Sequence, residues 1–221
     1  MCGRYTLSVP EGALLEAFDV PALTFEYRPR YNIAPGQPCP VVAEDREGRR
    51  IGLLDWGLIP AWKDEPKGSL INARAESVTT KPSFREAFRR RRCLLPADGF
   101  FEWKTRGRQK TPYWLHPAEG RLVRFAGLWE TWKGAEGRTR HGFAILTTEA
   151  NEDVSAVHHR MPVVIAPEDA DAWLGRASAS TLVERLLRPA PRGTFLARRV
   201  DARVNRPSED DPGLLDPVSD A

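Results

Sequence analysis

Cysteine is scarce in these 221 residues, and the three present, Cys2, Cys39 and Cys93, are odd in number and widely spaced. That pattern excludes a disulfide framework and offers none of the paired spacings of a zinc site. No apolar run approaches the roughly 18 residues of a membrane span, and no signal-peptide hydrophobic core follows Met1. Internal repeats, linkers and a second domain are likewise missing. The chain is therefore expected to be cytoplasmic, without membrane, metal or cofactor, in a reducing setting that would keep an N-terminal cysteine usable.

What is present is an ordinary globular composition, 41% hydrophobic and 29% charged, which excludes a disordered chain and suits one domain with a sizeable core. The net charge of +3 hides an asymmetry, because residues 207–221 carry five acids and no base. The remaining body, 1–206, holds 33 lysines and arginines against 25 acids, a surplus that favours a polyanionic partner. The segment 207–221 reads as a flexible acidic tail.

Strand signals dominate the middle of the chain and helices its margins. Pro10 and Glu11 open a short helix with Leu14, Leu15 and Phe18 on its apolar face, and Ser83 is placed to cap another running to Arg91. Strands are expected at 40–43, 51–58, 70–75, 99–104, 113–115, 122–127, 128–132, 142–148, 163–165 and 195–200, with a turn closing Cys93-Leu94-Leu95-Pro96. The fold class is α+β: a single domain of antiparallel, barrel-like sheets with peripheral helices.

The start of the chain carries the sharpest chemistry. Removal of Met1 by an aminopeptidase would leave Cys2 with a free α-amine and a thiol on adjacent carbons, with ordinary pKa values near ~8 and ~8.5. Such a 1,2-aminothiol condenses with an aldehyde to an imine, and the sulfur then closes a five-membered thiazolidine. Proximity makes the second step intramolecular. A small residue after Met1 is also commonplace without any chemical role.

Other polar residues stand where turns meet strands. Asn72 and Arg74 share one face of a short strand, two residues apart. Glu102, among Phe100, Phe101 and Trp103, either faces solvent by alternation or is buried with a raised pKa and able to move protons near neutrality. His158 and His159 are adjacent, a poor metal pair; one suits acid catalysis, and an exposed histidine is the ordinary reading of either. Arg4, Arg74 and Arg160 suit phosphates. The four arginines 89–92 read mostly as a solvated helix face. Trp56, Trp62, Trp103 and Trp114 either stack on bases or belong to the core.

Six stretches in order, Cys2-Gly3-Arg4-Tyr5, Tyr31-Asn32-Ile33-Ala34-Pro35-Gly36, Trp56-Gly57-Leu58-Ile59-Pro60, Ile71-Asn72-Ala73-Arg74-Ala75-Glu76, Gly99-Phe100-Phe101-Glu102-Trp103 and His158-His159-Arg160-Met161-Pro162, resemble the SOS-response-associated peptidase (SRAP) family of abasic-site processing proteins. The resemblance implies a compact α+β fold with a basic groove. It also implies covalent capture of abasic sites in single-stranded DNA, by a monomer with no cofactor. It makes Cys2 the crosslinking nucleophile, Asn72 the residue that holds the N-terminus and the sugar, Glu102 the proton-transfer group and His158 the active-site histidine. Arg4, Arg74 and Arg160 then match phosphate-binding positions, and Pro35 and Thr147 the DNA path. Trp62 is half of a stacking wedge, because Lys63 stands where some relatives have a second aromatic. His159 replaces an acid found in some members.

Two other classes fit the same residues. An N-terminal cysteine with Asn, Arg and His nearby also suits a peptidase or amidohydrolase whose α-amine activates its own thiol. A plain single-strand binding module with an incidental cysteine is the third.

Overall fold

Apolar alternation and tight turns lay out the sheets. The computed structural model describes residues 2–64, 68–120, 122–175 and 180–218. Its strands are β1 (Tyr5–Leu7), β2 (Arg30–Ile33), β3 (Pro38–Asp45), β4 (Gly48–Trp56), β5 (Asn72–Arg74), β6 (Arg92–Ala97), β7 (Gly99–Arg106), β8 (Gln109–Pro117), β9 (Val123–Lys133), β10 (Thr139–Glu149), β11 (Arg160–Pro162) and β12 (Phe195–Arg199). Helices α1 (Glu11–Phe18), α2 (Arg85–Arg90), α3 (Glu152–Ser155), α4 (Ala170–Leu174) and α5 (Ser180–Arg185) are short and peripheral. Gly107, at φ +59°, sits in the two-residue turn that joins β7 to β8, a conformation L side chains rarely adopt.

Five strands close on themselves in the order β10-β4-β3-β6-β9, because β9 pairs with β10 as well as with β6. Closure removes the unpaired edges, and β5 and β11 add to β10 beyond it. The expectation of antiparallel, barrel-like sheets is met with one qualification: β10 runs parallel to β4 and to β5. At the parallel seam the chains approach closely, and a Cβ on Gly142 would come within 2.3 Å of the Gly57 carbonyl oxygen.

A second sheet, β12-β8-β7-β1-β2, lies against the barrel. Aromatic rings join the two. Tyr5 of β1 meets Trp56 of β4 edge-on at 5.3 Å, and Phe100 of β7 meets Phe125 of β9 at 5.8 Å. Edge-to-face pairs of this kind add about 0.5–1.5 kcal/mol each to the burial of their area. Sequence neighbours on opposite faces of β1 and β7 are thereby committed, one toward the barrel and the next toward the outer surface.

Several expectations are corrected. Residues 93–96 form the buried strand β6 rather than ending in a turn, since both its faces are covered. The two strands expected over 122–132 are one, β9 (Val123–Lys133), and β11 ends at Pro162, leaving 163–165 only a single bridge, Val164 to Phe125. Phe84 rather than Ser83 precedes α2. Arg92 is buried: it donates to the carbonyls of Phe88 (2.7 Å) and Trp173 (2.6 Å), so this arginine fastens the end of α2 to α4 instead of being solvated.

The acidic segment, expected as a flexible tail, makes hydrogen bonds to the body of the protein as far as Val218. Asn32, fully buried in β2, donates through Nδ2 to the carbonyls of Arg206 (3.0 Å) and Glu209 (2.8 Å), and its Oδ1 accepts from Arg4 (2.9 Å). Asp210 accepts from the amides of Tyr31 (2.6 Å) and Asn32 (2.9 Å) and pairs with Arg30. Leu214 is fully buried. Asp210, which read as part of a solvated tail, is instead an acceptor for the backbone of β2.

Asn32→Ala leaves two buried or half-buried carbonyls and one guanidinium short of a partner. Urea denaturation is expected to show a loss of at least about 2 kcal/mol. Limited proteolysis should open the chain after residue 200. Unchanged stability with the segment still protected would contradict this account.

Candidate active site

The site forms where an end of the second sheet meets the barrel. Ladder register brings the first residues there: Tyr5 pairs with Phe100, Thr6 with Gly99, and the Phe101 amide donates to the Arg4 carbonyl (2.9 Å). The chain before β1 therefore runs back alongside residues 101–103. From the barrel, Asn72 of β5 donates through Nδ2 to the Cys2 carbonyl (2.8 Å). A strand-end amide thus fixes the backbone of the residue that sequence reasoning makes the nucleophile.

Cys2 is fully buried, and burial pushes its thiol well above the usual range, with the Glu102 carboxylate adding in the same direction. The thiol is therefore protonated at neutral pH. Glu102 is buried rather than solvent-facing, which settles the alternative left open by alternation, and burial raises its pKa. Its neighbours explain the burial: Phe100 and Phe101 are fully covered.

His158 Nδ1 lies 3.7 Å from Glu102 Oε1 and 3.1 Å from both the amide nitrogen and the carbonyl oxygen of Arg160. The backbone of Arg160 thus offers a partner to either state of that nitrogen, an acceptor for the protonated ring and a donor for the neutral one. Burial lowers the His158 pKa and favours the neutral ring. His159 is exposed, and its ring packs at 4.4 Å on that of His158.

Cys2, Asn72, Glu102 and His158, expected together, are thus brought to one place by β1, β5, β7 and the approach to β11. The arginines differ among themselves. Arg160 is buried, holds Glu76 through two bonds (2.6 and 3.0 Å) and donates to the Thr147 carbonyl (2.6 Å). Arg4 is spent on Asn32 and the carbonyls of Val204 (2.6 Å) and Asn205 (3.3 Å). Arg74 is exposed at the end of β5, in register with Thr147 of β10, which is buried. Pro35 is exposed on the turn after β2, and Trp62, 62% exposed, stands on the loop after β4. Trp56 is fully buried core.

A cavity of about 500 Å³ opens beside this cluster, lined by Glu102, Trp103, Thr105, Lys110, His158 and Asn205. Sequence reasoning named Trp103 but missed Lys110 and Asn205. Lys110 is legible from the hairpin register, which pairs it with Thr105. Asn205 carries no local signal, because its place depends on the docking of a segment remote in sequence. Among the described residues, no cluster of three or more His, Cys, Asp or Glu side chains has the geometry to hold a metal ion.

Comparison with known proteins places this geometry. The family model described as SOS response associated peptidase (SRAP) matches residues 1–207. The abasic site processing protein YoaM of Bacillus subtilis is 39% identical over 98% of each chain. The abasic site processing protein YedK of Escherichia coli is 34% identical over 79% of each, and HMCES of Gallus gallus is 33% identical over 87% of this chain and 67% of its own. A solved structure from Bacteroides thetaiotaomicron superposes with a TM-score of 0.89 at 23% identity, covering 99% of this chain and 100% of that one, which supports the fold. A phage-related protein of Bordetella bronchiseptica superposes with a TM-score of 0.74 at 30% identity, with 90% of this chain and 94% of that one covered. A family model spanning nearly the whole chain, relatives matched almost end to end and a shared fold lead to one statement: this protein belongs to the SOS response associated peptidase (SRAP) family of abasic site processing proteins.

Proposed function

We propose that this protein captures abasic sites in single-stranded DNA as a thiazolidine formed on Cys2, shielding the lesion during the response to DNA damage. The observation that carries the reading is the convergence on Cys2 of a backbone clamp, Asn72, and of a buried carboxylate, Glu102, that His158 approaches. Removal of Met1 frees the amine. An abasic sugar in its open form presents an aldehyde, which the Cys2 amine converts to an imine with loss of water. His158 assists ring opening by proton transfer, and Asn72 keeps the nucleophile in line.

Sulfur then adds across the carbon–nitrogen double bond. The sulfur–carbon bond forms, and the thiol proton leaves through Glu102 and arrives on the ring nitrogen. A thiol held protonated by burial needs such a base, and a carboxylate with a raised pKa is strong enough to serve. The same environment argues against the amidohydrolase reading. A thiol that attacks amides is helped by a lowered pKa, whereas burial and Glu102 raise that of Cys2 more than the terminal amine lowers it. Without sulfur, the imine permits β-elimination, so lyase-type strand cleavage is a side reaction of the same site. Arg74, Arg4, Arg160, Pro35, Thr147 and Trp62 are assigned to the DNA path on the family pattern.

Three outcomes test this. Intact mass should show Met1 absent, and incubation with abasic single-stranded DNA should give a heat-stable adduct that Cys2→Ala abolishes; a stable adduct from Cys2→Ala refutes the assignment. Cys2→Ser should cleave the strand without a stable adduct. The rate should rise with pH through a value above the 4.5 of an ordinary glutamate, because the active form of Glu102 is the carboxylate and burial shifts its titration upward. Glu102→Gln should lose that limb and slow by about 10²–10⁴-fold, keeping only the rise of the amine near ~8. A variant retaining the lower limb would remove Glu102 from the proton path.

A further inference from the structure

The cations assigned to phosphate by the family pattern are not equally available. Arg160 is neutralised by Glu76, and Arg4 is committed to Asn32 and two carbonyls of the docked segment. The mouth of the 500 Å³ cavity holds a different set. Lys110 and Thr105 are exposed, cross-strand partners on the β7–β8 hairpin. Opposite them, Asn205 is held from two directions. Its Oδ1 accepts from the Trp103 indole nitrogen (2.8 Å) and its carbonyl accepts from Arg4 (3.3 Å).

That arrangement sorts donors from acceptors. With Oδ1 occupied by Trp103, what Asn205 has left to give is its Nδ2 amino group, a double donor. Lys110 supplies an ammonium, for which no salt bridge exists among the described residues. Thr105 adds a hydroxyl. A rim of donors and one positive charge suits a ligand that accepts hydrogen bonds and carries negative charge. We infer that Lys110 and the side-chain amide of Asn205, with Thr105, form a phosphodiester subsite that holds the DNA backbone beside the reacting sugar. The inference rests on the proposed reading that Glu102 and His158 serve an abasic nucleotide, since they form the inner wall of the same cavity. It also gives the docked segment a purpose: residues 202–210 are fastened to β2 so that Asn205 stands across from the hairpin.

The test uses the full-length protein and a single-stranded oligonucleotide with one tetrahydrofuran residue, which lacks the aldehyde and so reports binding alone. Each bound phosphate contributes about 0.7 to the slope of log affinity against log salt on single strands. Lys110→Gln should lower that slope by about 0.7 and weaken binding several-fold, and Lys110→Arg should restore both. Asn205→Asp keeps the acceptor for Trp103 but removes the amino group and adds charge, so it should weaken binding by about tenfold or more. An unchanged salt slope in Lys110→Gln, while the parent protein crosslinks normally, overturns the subsite and spares the proposed function. A parent protein that neither binds the oligonucleotide nor crosslinks abasic DNA overturns both.

Discussion

The four-way anchoring of Asn32 is the constraint on which the rest of the structure depends. A fully buried side-chain amide must find partners for both its ends, or it costs about 1–3 kcal/mol per unmet group. Here the donor end draws in the carbonyls of the 202–210 segment, and the acceptor end orients Arg4. The first fixes Asn205 on one side of the cavity. The second fixes the backbone two residues after Cys2. One polar group in β2 thereby sets the register of a distant segment against the start of the chain.

Inside the site, burial governs charge. Desolvation pushes the Cys2 thiol and the Glu102 carboxyl up and the His158 imidazole down, so each is driven toward its neutral form. A set of groups shifted toward neutrality costs the fold less than a buried ion pair would. It also leaves one proton that can move among a carboxyl, an imidazole and a thiol without large changes in solvation. Condensation of an amine with an aldehyde needs such movement at several steps. Fixed charge would help one step and hinder the next.

Much of this was legible in the sequence. Six ordered stretches identified the family and named Cys2, Asn72, Glu102 and His158. What could not be read was long-range docking. The acids at 209–211 look like any solvated tail, because nothing local says that Arg30 and the amides of β2 await one of them. Arg92 looks like its three neighbours in the row, yet it is buried because α4 presents carbonyls to it. The burial of β6 on both faces, which turned an expected turn into a strand, likewise comes from elements elsewhere in the chain.

The docked segment also changes the meaning of the charge asymmetry. A free acidic tail would lie over the basic body and compete with DNA for it. Instead Asp210 meets Arg30, while Glu209 and Asp211 both meet Arg203. Three of the five acids are thus spent on two arginines and on backbone amides. The surplus of positive charge in 1–206 is trimmed at the segment's own binding place rather than screened over the whole surface. Arg74 and Lys110, on β5 and at the β7–β8 hairpin, are left exposed to solvent. An anionic strand reaching the site would meet these two side chains at the surface. Placement, more than net charge, would then govern where a polyanion settles.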